Sequence, residues 1–157
     1  MDIRAKDIMV TEYDTIKPTA TVQEAIKLMQ FGRLNPRGRR VFGVMVTDET
    51  SELVGMISMY DILSHVRPPY MKTMDQNAGL SWEGQFTAAC DKAKKLKVGD
   101  IMATKLVTVD ENDHIAEIIN LMVKRHVRRL PVLRGKQILG IIYISDVFYE
   151  VYKKLLV

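Results

Sequence analysis

Val22, Ala25, Ile26 and Met29 share one face of a helix, and the same apolar stripe returns at Ile115, Ile118, Ile119 and Met122. Thr21, with Glu24 three residues later, forms a capping box that starts the first of these helices. A short extended piece precedes each stripe, at Thr15 and Ile16 in one case and at residues 106–109 in the other. Two apolar runs follow each stripe, residues 41–46 and 53–58 first, then 130–133 and 138–143. The second pair is joined by Arg134-Gly135-Lys136-Gln137, so each pair reads as a hairpin. A closing helix is predicted to begin near Asp61 and again near Asp146. The predicted order is β-α-β-β-α, twice, an α/β chain of the α+β kind.

The two halves are copies. Asp7-Ile8-Met9 recurs as Asp100-Ile101-Met102, and the spacing of 93 also relates Thr11 to Thr104, Glu24 to Glu117 and Met29 to Met122. Further on the spacing is 85: Gly55-Met56-Ile57 matches Gly140-Ile141-Ile142, and Asp61 matches Asp146. The first copy therefore carries eight extra residues, most of them in the arginine-rich stretch 31–40. A unit of about 60 residues buries too little apolar surface to be robust alone. The repeat thus implies a pseudo-twofold pair packed sheet to sheet, with copy one at 1–64, a connecting strap at 65–97 and copy two at 98–157. Within the strap, Pro68-Pro69 is expected to end the preceding helix. Residues 88–96 are expected to form a short helix, and Trp82 and Phe86 to pin the strap down.

Composition narrows the function classes. With 157 residues, 47% hydrophobic and 27% charged, the chain reads as a soluble globular protein. No apolar run approaches the ~18 residues of a membrane span. The first residues lack the build of a secretory signal. Cys90 is the only cysteine, which rules out an internal disulfide and points to a reducing cytoplasm. His65, His114 and His126 read as solvated surface residues, and no H-x-x-x-H, C-x-x-C or phosphate-gripping glycine loop exists. Neither catalysis nor a metal nor a required cofactor is expected. The ten methionines read as core filling. Net charge is +4, concentrated at Arg33, Arg37, Arg39 and Arg40 and at Arg125, Arg128 and Arg129. Such clusters attract phosphates or simply solvate a face. For nucleic acid they predict at most a weak, salt-sensitive contact.

Two strings carry candidate chemistry. Ser58-Met59-Tyr60-Asp61 follows an apolar strand and opens a helix. A helix start favours anions, a serine there can donate to phosphate, and an aspartate can accept two hydrogen bonds from a ribose diol. The same two residues also suit a simple helix cap. Val127-Arg128-Arg129-Leu130-Pro131-Val132 sets two arginines before a strand. Guanidinium forks match phosphate oxygens, and an exposed basic strand end is the plainer reading. Pro131, lacking an N–H, argues for a strand edge or start.

Taken together, the repeat length, the β-α-β-β-α order, the D-I-M opening, the R-R-L-P-V string and the G-h-h-S-x-x-D junction resemble a tandem CBS domain pair, or Bateman module. The resemblance covers nearly all of the chain outside the strap and the arginine-rich insertion. It implies binding of AMP, ADP or ATP, or less favourably S-adenosylmethionine, in clefts that mix the two copies. In one cleft Asp61 would hold ribose hydroxyls and Ser58 would approach phosphate or ribose. Lys105, Leu106 and Val107 would flank adenine, Arg128 and Arg129 would meet phosphates, and Val127, Pro131 and Met56 would form walls. The other cleft, at Tyr13, Thr15, Val44, Tyr143 and Asp146, departs from the pattern. Tyr143 replaces a serine or threonine, Asp14 opposes phosphate, and Phe42-Gly43-Val44-Met45 stands where R-R-L-P is expected. Arg39 or Arg40 from the insertion is the candidate compensation. The resemblance also implies a homodimer through the helices and a regulatory role. Because the copies and strap fill the sequence, output is expected to reach a separate effector protein or to act through assembly.

Overall fold

A computed structural model describes residues 2–67 and 81–157. Pro68-Pro69 lies outside the described residues. The elements run α1 (Ala5–Ile8), β1 (Thr15–Ile16), α2 (Val22–Phe31), β2 (Gly43–Thr47), β3 (Leu53–Ser58) and α3 (Met59–Val66). The strap contributes α4 (Trp82–Ala93). The second copy then gives α5 (Val98–Ile101), β4 (Val109–Asp110), α6 (Ile115–Arg125), β5 (Arg129–Arg134), β6 (Gln137–Tyr143) and α7 (Ile144–Leu155). Each copy is a three-stranded sheet with its first strand parallel and its last antiparallel to the centre, ordered β1-β2-β3 and β4-β5-β6. The predicted β-α-β-β-α order is present in both.

Local chemistry sets the helix starts. Thr21 N–H donates to Glu24 Oε2 at 2.9 Å while Glu24 N–H donates to Thr21 Oγ1 at 3.1 Å, the reciprocal cap the sequence announces. The D-I-M aspartates supply one half of such a cap for the short helices. Arg4 N–H donates to Asp7 Oδ2 at 2.8 Å, and Lys97 N–H to Asp100 Oδ2 at 3.0 Å.

Those short helices are exchanged between the copies. α1 places Ala5, Ile8 and Met9 on the core of the second sheet, with Ile118, Met122, Leu130 and Ile142. α5 places Val98 and Ile101 on the core of the first, with Val22, Met29, Val46 and Ile57. Val10 forms a two-way backbone bridge with Ile141, at 2.8 and 3.0 Å, and Ala103 forms its counterpart with Met56, at 2.8 and 2.9 Å. The crossing needs glycine. A Cβ on Gly140 would stand 2.7 Å from the Val10 carbonyl, and one on Gly55 would stand 2.6 Å from Met102 Sδ. Between the sheets a third cluster, Val10, Met45, Met56 and Ile141, joins the two copies into one core.

Equivalent strand pairing locates the extra residues. Val46 pairs with Ile16 and Val132 with Val109, so seven of the eight precede β2 and one lies in the β2–β3 turn. The strap helix starts six residues earlier than expected. Its buried residues are Gln85 and Ala93, and Trp82 and Phe86 are 62% and 53% exposed. Among the described residues no helix is long and apolar enough to cross a membrane.

Candidate nucleotide cleft

The β3–α3 junction of the first copy faces residues 103–107 and 126–129 of the second across a cavity of about 580 Å³. Ser58 is the N-cap of α3. Asp61 Oδ2 accepts from Ser58 N–H at 2.8 Å and from Ser58 Oγ at 3.0 Å. The capping and ligand-facing readings of this pair are therefore compatible. Among the described residues the carboxylate is engaged through Oδ2, which leaves Oδ1 for a ligand.

Met56, Ser58 and Asp61 line one wall; Lys105, Leu106, Val107, Val127, Arg128 and Arg129 line the other. The sequence-derived set converges there with one exception. Pro131 is fully buried in β5 opposite Ile141, the counterpart of Met45 in the other sheet, and does not line the cavity. Nor is it at a sheet edge, since β5 is the centre strand. Its missing N–H is tolerated because β4 pairs only with Val132 and Leu133.

Six lining residues were not anticipated: Phe42, Met59, Tyr60, Leu63, Ala103 and His126. Phe42 was findable as the repeat counterpart of Arg128. His126 ends α6 in a left-handed conformation, φ 53°, which turns the chain toward the cleft. Nothing in its sequence neighbourhood distinguishes it from a solvated histidine.

Arg129 occupies the middle of the molecule. Its guanidinium lies over Gly43, where a Cβ would stand 2.5 Å from Cζ, and Gly43 is its own repeat counterpart. Its Nε is buried without a partner. Burial lowers its pKa from the ordinary arginine value, the charge of Arg128 adds to this, and Tyr143 and Asp61 oppose it. A guanidinium stays charged under such pressure. Lys105, Arg128 and Arg129 thus outnumber the single Asp61 carboxylate, and the cavity favours an anion.

The second cleft is built differently. Val44 is core, packed with Val46 and Ile57. Thr15 is exposed in β1 opposite Met45 and lines none of the main hollows. Tyr13 and Tyr143 pack against the inter-sheet cluster. Asp146, 6% exposed, accepts from Tyr143 N–H at 3.3 Å and pairs with Arg37 Nε at 3.5 Å. Arg37, rather than Arg39 or Arg40, is the insertion residue that reaches this cleft. Arg40 donates to the Gly32 carbonyl at 3.0 Å instead, and Asp14, read as a repellent carboxylate, accepts from Arg33 N–H at 2.7 Å.

A family model, CBS domain, matches residues 5–68 and 98–153. The chain belongs to the CBS-domain family. It is 26% identical over 141 residues to the CBS domain-containing protein YhcV of Bacillus subtilis, covering 90% of this chain and 80% of that one. CBSX2 in complex with AMP superposes with a TM-score of 0.70 at 22% identity, covering 96% of this chain and 97% of that one. The cytosolic domain of the Mg2+ channel MgtE in complex with ATP superposes with a TM-score of 0.66 at 20% identity, covering 95% of this chain and 48% of that one. These likenesses establish the CBS-pair fold.

Proposed function

We propose that this CBS pair is a regulatory module that binds an adenine nucleotide in the 580 Å³ cavity between its copies. The observation that carries the reading is the meeting, in one hollow, of Asp61 from the first copy with Arg128 and Arg129 from the second. Asp61 suits a ribose diol and the two guanidinium groups suit phosphates. Leu106, Val107, Met56 and Ala103 suit a flat purine. AMP in CBSX2 and ATP in MgtE support the adenosyl part of the reading. The cations favour AMP, ADP or ATP over S-adenosylmethionine, which has no phosphate to offer them. A phosphate that draws Arg129 into the cavity would also relieve its unmatched donor, a defect that typically costs about 1–3 kcal/mol.

The role is sensing rather than catalysis. A ligand touching both copies biases their relative orientation by its differential affinity for the two arrangements. The lone Cys90 fits a cytoplasmic setting. A homodimer through α3 and α7 belongs to the same proposal, and an effector protein or the assembly itself would receive the signal.

Titration calorimetry with AMP, ADP and ATP tests the site. Asp61→Asn is expected to weaken binding on the order of 100-fold, the loss of two ribose hydrogen bonds of roughly 1.5 kcal/mol each. Asparagine retains a capping oxygen, so folding is preserved. Binding that is absent from the unaltered protein, or unchanged in the variant, overturns the reading.

A further inference from the structure

The arginine-rich insertion is absent from the second copy, and it is folded with unusual care for an exposed loop. Asn35 Oδ1 accepts from Arg37 N–H at 3.0 Å and from Arg39 N–H at 2.9 Å. The Asn35 carbonyl accepts from Gly38 N–H at 2.9 Å, and Asn35 N–H donates to the Arg39 carbonyl at 2.9 Å. Gly38 supplies the positive φ of 75° that closes the turn. At the base, Arg33 binds Asp14 through backbone and side chain, at 2.7 and 3.5 Å. The result is a preformed tip with one residue aimed at the second cleft.

That residue is Arg37. Its Nε lies 3.5 Å from Asp146 Oδ1, and its Cζ sits 3.9 Å over the ring of Tyr149. Asp146 is the repeat counterpart of Asp61. Tyr149 corresponds to Ser64, so the aromatic platform is peculiar to the second copy. Both halves of the contact, cation and ring, therefore exist only on this side of the molecule. Two hollows of about 540 and 450 Å³ lie against the insertion and share Met9, Val10 and Pro36 as walls.

We infer that the insertion is a built-in occupant of the second cleft, with the Arg37 guanidinium held at Asp146 where a ligand's ribose would sit. The contact ties the first copy to the second, so this side of the pair is latched and the Asp61 side alone takes ligand. The chain is then a one-site module by construction. The one-site consequence rests on the proposed nucleotide reading; the latch itself does not.

Limited trypsin digestion of the ligand-free protein reads the latch directly, because the insertion holds four arginines and a protease cuts a loop in the conformations it reaches by leaving its docked one. Asp146→Asn keeps a capping oxygen for Tyr143 N–H and all four cleavage sites. It is expected to be nicked within residues 33–40 roughly fivefold faster than the unaltered protein, while Glu49→Gln, in an exposed turn, is not. Arg37→Gln gives the same answer from the loop side, read at Arg33, Arg39 and Arg40, should Asp146→Asn fold poorly. Equal nicking of the unaltered protein and these variants overturns the latch. Calorimetry supplies the second arm: one nucleotide per chain, retained in Asp146→Asn, supports the inference, and two per unaltered chain overturns it. No binding at all sinks the nucleotide reading and leaves the latch decided by digestion.

Discussion

Tyr143 shows how one substitution in a repeat changes the physics of a cleft. Its counterpart Ser58 caps a helix with a hydroxyl, whereas Tyr143 fills the space between the sheets with a ring. Burial pushes its phenol up to about 12, the Asp146 and Asp14 carboxylates push the same way, and Arg129, its cross-strand partner, opposes them. The folded value lies above the ordinary 10.0, so the unfolded chain ionises first as pH rises. Stability from this group is complete below pH 10.0 and is lost as pH climbs from there through about 12. Near pH 11 the loss amounts to roughly 1 kcal/mol. Tyr143→Phe lacks the ionisable group, so its urea-unfolding free energy is expected to fall by that much less between pH 8 and about pH 11. Equal alkaline losses in the two proteins would show that the ring is not buried as described.

At the scale of elements, the sequence was most legible where chemistry is local. The apolar stripes of α2 and α6, the Thr21–Glu24 cap and the closing helices after Ser58 and Tyr143 all depend on residues within one or two turns. The partition of α1 and α5 was not legible, because a repeat shows that two segments are equivalent without showing which sheet each covers. Pro131 was misplaced for a related reason: a missing N–H argues for an edge only when the neighbouring strand runs its full length, and β4 stops short. Arg37 was missed in favour of Arg39 and Arg40 because the Asn35 turn, which aims it, is a property of the folded loop. The exchange of α1 makes its own prediction. Gly140→Ala would press a methyl against the Val10 carbonyl, a backbone atom that cannot swing away. The expected cost is about 1–3 kcal/mol of stability, read as a lower urea midpoint at unchanged slope. An unchanged midpoint would mean that the crossing is looser than the 2.7 Å approach implies.

At the scale of the whole molecule, the pseudo-twofold that pairs the clefts also pairs two exposed apolar strips. Met59 and Leu63 on α3 correspond to Ile144 and Phe148 on α7. Leu63 is 56% exposed and Phe148 61%, although the same helices pack Ile62 and Val147 on the cores of their own sheets. Two equivalent strips on one molecule are what a second copy, rotated by a true twofold, would bury, since such an interface is self-complementary. Phe148 also packs edge-on against Tyr152, with ring centroids 5.8 Å apart, so its ring is held ready rather than free. Light scattering on the eluting protein is expected to give about twice the 17.9 kDa of one chain. Phe148→Glu buries a charge in the strip and is expected to return the single-chain mass at micromolar concentration, with an unchanged circular-dichroism spectrum because the side chain faces solvent in the isolated chain. Gln23→Glu, on the exposed side of α2, is the matching charge change and is expected to leave the mass doubled. A single-chain mass for the unaltered protein would move the output of ligand binding from assembly to an effector that reads the strip itself.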